Sequence, residues 1–109
     1  RAYTASGKLS TDVRTDKDNY LLIEIMNTGS VAIKDIAFSS SKPDGWIVTF
    51  NPDRMEILTV EEINRSEVLI RPPSGAKAGD YVVSLRIEGT PESFDRLELN
   101  LDLKTTVSE

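Results

Sequence analysis

Residues 69–87, LIRPPSGAKAGDYVVSLRI, form the stretch that decides the fold. An apolar run ends at Pro72 and Pro73, and a segment of alternating character begins at Tyr81. Proline cannot donate a hydrogen bond to a sheet, so the two prolines end the strand before them. Gly79 permits backbone angles that other residues resist. The stretch therefore predicts a strand, a corner and a second strand.

The position of Tyr81 indicates which kind of corner this is. In immunoglobulin-type sandwiches, a tyrosine near the start of a late strand bonds back to the preceding loop, two residues before the second cysteine. Tyr81 occupies the place of that tyrosine and Val83 the place of the cysteine. We interpret Trp46, Tyr81, Gly79, Pro72 and Pro73 as structural residues, and the corner as an element of the fold.

The same alternation of apolar and polar residues recurs along the chain, and no stretch has a convincing helical stripe. Turn-forming sequences such as NTGS at 27–30 and KPDG at 42–45 separate the alternating segments. The pattern predicts an all-β, immunoglobulin-like antiparallel sandwich of about seven strands. For residues 55–64, a helical turn and a turn between strands both stay open. The predicted core contains Leu21, Ile23, Ile25, Phe38, Trp46, Val83, Leu85, Leu99 and Leu101.

The length of 109 residues fits one domain. We expect this domain to span residues 8–104, with residues 1–7 as a linker or frayed start and residues 105–109 as a tail. Because the first residue is Arg1 and not an initiator methionine, we expect the chain to be a piece of a longer protein.

Composition excludes several classes of function. The net charge is −5 and no basic patch is present, which argues against nucleic acid and against anionic membrane surfaces as partners. No apolar run approaches the length of a membrane span, so we expect no membrane insertion by this domain. The chain has no cysteine and no histidine, which excludes disulfides, thiolate chemistry, the Ser-His-Asp triad and the usual zinc sites.

The remaining polar clusters are interpreted without a chemical role. Asp12, Asp16, Asp18 and Asn19 lack the glycine and terminal glutamate of a calcium loop, so we expect a solvated turn and no metal or other cofactor. Glutamates 56, 61 and 62 offer carboxylates, but nothing marks one of them as a perturbed acid. The triplet 64–66, Asn-Arg-Ser, matches the glycan acceptor pattern, for which we expect no functional role.

Taken together, the turn motifs resemble a known family. The chain carries MNTGS at 26–30, KPDGWIVTF at 42–50 and VLIRPPSGAKAGDYVVSLRI at 68–87. In this order and spacing they resemble the NPCBM-associated "new three" domain of the alpha-galactosidase type, with the bacterial cell-adhesion-related domain as the neighbouring alternative. The chain departs from the family pattern at 58–65, where members often have a Pro-Gly turn.

The resemblance implies an accessory domain of archaeal or bacterial surface proteins, without catalytic residues. We therefore expect a non-catalytic, monomeric interaction module, located at the cell surface or outside the cell as part of a larger membrane-anchored or secreted protein. Its partners would be the neighbouring domains of the parent chain, other surface proteins or polysaccharide. The alternative function is a carbohydrate-binding module, because Tyr3, Tyr20 and Trp46 could stack on sugar rings if two of them were exposed on one surface.

Overall fold

The computed structural model describes residues 1–4, 7–15, 17–92 and 95–108, and all regular structure in them is β-strand. The all-β fold class is confirmed, with nine strands in these ranges where the sequence predicts about seven. The two additional strands are β1 and β6, which are short and lie at sheet edges. The strands are β1 (Ala2–Thr4), β2 (Ser10–Arg14), β3 (Asn19–Met26), β4 (Ile33–Ser41), β5 (Ile47–Asn51), β6 (Arg54–Leu58), β7 (Ile63–Arg71), β8 (Gly79–Pro91) and β9 (Leu97–Ser108).

The strands form two sheets that pack face to face. Sheet A has the order β1-β3-β7-β5 and sheet B the order β2-β9-β8-β4-β6. Every paired strand runs antiparallel to its neighbour except β2, which is parallel to the second half of β9. None of the described residues forms a helix long and apolar enough to cross a membrane.

The core between the sheets follows the predicted alternation. Of the nine predicted core residues, Leu21, Leu99 and Leu101 are partly exposed, although they still pack against the core. The other six are buried, namely Ile23, Ile25, Phe38, Trp46, Val83 and Leu85. Alternation identifies the inward face correctly because side chains on a strand point to opposite faces in turn.

The structure corrects the predicted boundaries at both ends. Ala2–Thr4 is not a linker but pairs with β3, with Ala2 opposite Ile25, and Thr4 is buried. At the other end, β9 continues to Ser108, and Thr105 and Val107 are buried. These β-branched residues suit a strand that is covered on one face, so both ends are part of the sandwich.

The corner between β7 and β8 has the predicted order of strand, corner and strand. β7 ends at Arg71, directly before the buried Pro72. β8 begins at Gly79, whose φ of 146° favours glycine. The hydroxyl of Tyr81 donates a hydrogen bond to the carbonyl oxygen of Lys77 at 2.8 Å, which ties the corner to the strand that follows it. Of the two alternatives for residues 55–64, the structure has the turn between strands, which joins β6 to the start of β7.

Gly89, in β8, is a position where the packing leaves no room for a side chain. A Cβ there would lie 2.7 Å from Cγ2 of Ile33 and 3.2 Å from Cγ1 of Ile36. We expect Gly89→Ala to lower the free energy of unfolding by about 1–3 kcal/mol, because overpacking forces a stiff β-branched neighbour to move. Urea denaturation measures the effect. Gly75→Ala is the matched control, since a Cβ at Gly75 meets no atom within 4 Å; equal losses for both variants would contradict the packing argument.

Candidate functional site

The outward side of sheet A carries a group of aromatic and aliphatic side chains that we call the tyrosine face. Strand pairing brings its members together: Tyr20 lies opposite Leu69, and Leu69 opposite Thr49. β1 adds Tyr3, which lies opposite Glu24 on the same side. The tyrosine face consists of Tyr3, Tyr20, Leu22, Ile47 and Leu69.

The tyrosine face is accessible to solvent. Tyr20 is 60% exposed and Ile47 50%, while Leu22 is exposed and Tyr3 and Leu69 are half-buried. Apolar side chains scattered singly on a surface need no explanation, but a contiguous group of them marks a place where a ligand or partner can bind. Because a sheet face is open and flat, this surface suits a partner that lies across it.

Most charges near the tyrosine face are paired with one another; Glu67, opposite Leu22, is exposed and forms none of the ion pairs of the described residues. Arg65 contacts Glu24 at 2.9 Å, and Arg71 contacts Asp18 at 2.9 Å. Hydrogen bonds from Arg65 and from the Tyr3 hydroxyl hold the pKa of Glu24 below its usual range. The same hydrogen bond to Glu24 raises the pKa of Tyr3, so its hydroxyl remains protonated at neutral pH. The face therefore favours a ligand without strong net charge.

The outward side of sheet B has a different character. The Ser84 hydroxyl donates to Asp102 at 2.7 Å, and Arg86 contacts Glu98 at 3.0 Å. Further ion pairs join Lys104 to Asp80 at 3.5 Å and Arg96 to Glu88. Hydrogen bonds and ion pairs of this kind are typical of a solvated surface. Val82 and Ile57 are also exposed on this side, but they lie on β8 and β6, which β4 separates, so sheet A with its larger group is the better candidate for binding.

The structural residues predicted from the sequence lie apart from the tyrosine face. Trp46 is 4% exposed and its ring centroid is 5.0 Å from that of Tyr81, on the core side of the sandwich. Pro73 packs beside Gly45, since a Cβ on that glycine would lie 3.5 Å from its Cγ. Of the three aromatic residues considered as sugar platforms, Tyr3 and Tyr20 share one surface, and Trp46 is not available to a ligand.

Several members of the polar clusters considered in the sequence have structural partners. Asp16 lies outside the described residues, Asp18 pairs with Arg71, and the side chain of Asn19 bonds to the backbone of Arg14. Glu62 accepts hydrogen bonds from the backbone and hydroxyl of Thr59. Within the described ranges, no group of three or more acidic side chains could hold a metal ion.

The glycan acceptor triplet is also engaged in the fold. The Ser66 side chain is buried, and its hydroxyl donates to the carbonyl oxygen of Pro52 at 2.7 Å. Asn64 is half-buried and its side-chain oxygen accepts from the backbone N–H of Arg65 at 2.9 Å.

Sequence reasoning identified only part of the tyrosine face. Leu22, Ile47 and Leu69 were not singled out, because an isolated leucine or isoleucine in a strand looks like a core residue. The alternation along β3 could have identified Leu22 as outward-facing. Leu21, Ile23 and Ile25 were assigned to the core and Glu24 to the outer side, and Leu22 alternates with the core residues. Which strands lie beside β3, and hence which side chains join Leu22, could not be found in this way.

Comparisons with known proteins give one family and several structures of the same fold. A model of the family described as "NPCBM-associated, NEW3 domain of alpha-galactosidase" matches residues 13–90. No curated protein matches this chain.

Three solved structures are similar in fold at low sequence identity. One is the ASH/PapD-like domain 7 of human CEP192, with a TM-score of 0.69 and 16% identity over 99% of this chain and 85% of that chain. The E. coli chaperone DraB has a TM-score of 0.59 and 12% identity over 98% of this chain and 54% of that one. A family 123 glycoside hydrolase from Clostridium perfringens has a TM-score of 0.57 and 17% identity over 92% of this chain and 23% of that one.

Proposed function

This chain belongs to the family described as the NPCBM-associated, NEW3 domain of alpha-galactosidase, as its turn motifs predicted, and from this we infer that it is a non-catalytic accessory module of a larger protein. We place that parent protein at the cell surface, either membrane-anchored or secreted. In our proposal the module is monomeric and contacts neighbouring domains of its parent chain or other surface proteins. The tyrosine face is the observation that carries this proposal, because it groups exposed apolar side chains of neighbouring strands on one open surface.

The two ends of the described chain lie far apart on the sandwich. The backbone N–H of Met26, at the end of β3, donates to the carbonyl oxygen of Arg1. Ser108, at the end of β9, lies opposite Arg14 of β2, and Arg14 bonds to Asn19, where β3 begins. The start of β1 and the end of β9 therefore lie at opposite ends of the sandwich, whose dimensions are 47 × 23 × 18 Å.

A carbohydrate-binding module is the second candidate function, and one observation favours it. Tyr3 and Tyr20 lie on the same sheet face, roughly 14 Å apart if each residue along β3 advances about 3.4 Å. Two accessible rings on one sheet face can stack on sugars of one extended chain, while the Glu24–Arg65 pair beside Tyr3 can bond hydroxyl groups. The hydrolase match supplies no support for this function, because that likeness shows the fold alone.

Polysaccharide binding by the wild type and by one variant of the tyrosine face separates the two candidate functions. If the face binds protein partners, the 109-residue chain should not bind cellulose, xylan or galactan in affinity electrophoresis. If it binds sugar, a polysaccharide should retard the chain, and Tyr20→Ser should lose at least about tenfold in affinity, since an aromatic stacking contact of this kind is removed. Val82→Ser is the control, because Val82 is equally exposed, at 59%, but lies on sheet B. Retardation that both variants retain would exclude the tyrosine face as the sugar site.

The surface location has its own test. Antibodies raised against the chain should label intact cells of the source organism, and brief protease treatment of those cells should remove the label. Labelling that requires permeabilised cells would contradict a place at the cell surface.

A further inference from the structure

The first half of β9 has an open edge. β9 extends from Leu97 to Ser108, but β2 pairs only with residues from Lys104 onward. Beside 97–103, no strand of the described ranges occupies the side of β9 that faces away from β8. An unpaired strand edge is a template for another strand.

The direction of the backbone groups on this edge can be deduced. The N–H of Lys104 donates to the carbonyl oxygen of Leu9 at 2.9 Å, so the backbone groups of Lys104 face the β2 side. Alternate residues of a strand turn their N–H and C=O groups to the same side, and the register between β8 and β9 is unbroken from Leu97 to Val107. The backbone groups of Glu98, Asn100 and Asp102 therefore point into the open edge, where each offers one donor and one acceptor.

The side chains behind this edge form an apolar groove between the two sheets. Leu103, next to the end of β2, is buried, whereas Leu101 and Leu99 are half-buried and Leu97 is 40% exposed. Exposure thus increases where β2 no longer covers β9. A small groove between the sheets opens there, lined on the β9 side by Leu97 and Leu99 and on the β3 side by Ile25 and Met26, with Arg1 beside them.

We propose that this edge binds an extended segment of a partner protein, in which apolar side chains alternate with basic ones. Period two would direct the apolar side chains into the groove beside the leucines of β9. The other side chains would lie opposite Glu98, Asn100 and Asp102. Glu98 contacts Arg86 and Asp102 accepts from Ser84, and lysine or arginine of the partner would share these two carboxylates, whereas acidic side chains would be repelled by them. This surface is separate from the tyrosine face, and the proposal does not rest on the proposed function.

The test uses a fluorescein-labelled peptide in which valine and lysine alternate, with fluorescence anisotropy as the readout. The comparison peptides have the same composition with the valines in one block, and an alternation of valine and glutamate. We expect the alternating valine–lysine peptide to bind and both comparison peptides to bind at least about tenfold more weakly, since affinity comes from main-chain pairing and specificity from alternate side chains.

Two variants of Asn100 assign the binding to the edge. Asn100→Pro removes an N–H that faces the open edge and leaves the bonds to β8 in place, so the domain should stay folded and lose the peptide. Asn100→Thr keeps the N–H and should bind like the wild type. Circular dichroism establishes that both variants are folded.

Each of three results would overturn the proposal. One is a wild-type chain that does not distinguish the alternating peptide from the block peptide. Another is self-association in sedimentation experiments that Asn100→Pro abolishes, which would assign the edge to a second copy of the chain instead. Equal peptide binding by the proline variant and the wild type would likewise place the interaction elsewhere.

Discussion

Trp46→Ala is expected to destabilise the domain by about 3–5 kcal/mol, a large fraction of the total stability of a typical domain. The indole is 4% exposed and lies against the ring of Tyr81, at a centroid distance of 5.0 Å. Its removal leaves a cavity that the two sheets cannot close, because strand pairing on both sides fixes their positions. Urea denaturation followed by far-ultraviolet circular dichroism measures the loss.

Trp46→Phe is the matched control and should lose clearly less, since a smaller ring can keep part of the contact with Tyr81. The wild-type fluorescence gives an independent readout, because Trp46 is the only tryptophan of the chain. Its emission should be blue-shifted and should not respond to added saccharides, as its ring is not accessible to them. A fully stable Trp46→Ala variant would show that the indole is not part of the core.

Asn27→Ala is expected to cost on the order of 3 kcal/mol, although asparagine in a turn is usually replaceable. Asn27 is 1% exposed, and its side-chain nitrogen donates to the carbonyl oxygens of Val31 at 2.8 Å and Leu58 at 3.0 Å. Its side-chain oxygen accepts from the N–H of Gly29 at 3.0 Å. Truncation leaves these backbone groups without partners in a site where little water can replace the amide.

Two further substitutions test this explanation. Asn27→Asp should also destabilise the domain at neutral pH, because a carboxylate cannot donate to the carbonyl oxygens of Val31 and Leu58. Asn64→Ala is the control. Asn64 is half-buried and its side chain accepts from the next backbone N–H, so this variant should change the free energy of unfolding by no more than about 0.5 kcal/mol. Similar effects of Asn27→Ala and Asn64→Ala would mean that the bonds across the turn contribute little.

The domain thus offers two surfaces to its surroundings, and they suit different ligands. The tyrosine face groups exposed apolar side chains among mostly paired charges, while the open edge of β9 combines unpaired backbone groups with an apolar groove. An accessory module with both surfaces could contact a neighbouring domain through one and an extended segment through the other. The variants of Tyr20 and Asn100 can be combined to test whether the two surfaces act independently.

Local sequence determined the fold class and most of the core. The alternation in β3 and β8 assigned Ile23, Ile25, Val83 and Leu85 to the inside, and the same period placed Trp46 there. This works because the direction of a side chain on a strand depends on backbone geometry alone, which a residue shares with its immediate neighbours. Family membership was also evident, since turn residues occur at fixed places in the chain.

Only the tertiary structure decided which strands lie side by side, and both candidate surfaces depend on that. Tyr3 joins Tyr20 because β1 pairs with β3, whereas the sequence suggested a linker there. The open edge exists because β2 covers β9 only from Lys104 onward, and Asn27 is buried because its amide reaches Leu58, 31 residues away. Pairing and register are set by the burial and hydrogen bonding of the whole chain, and no local pattern of residues contains that information.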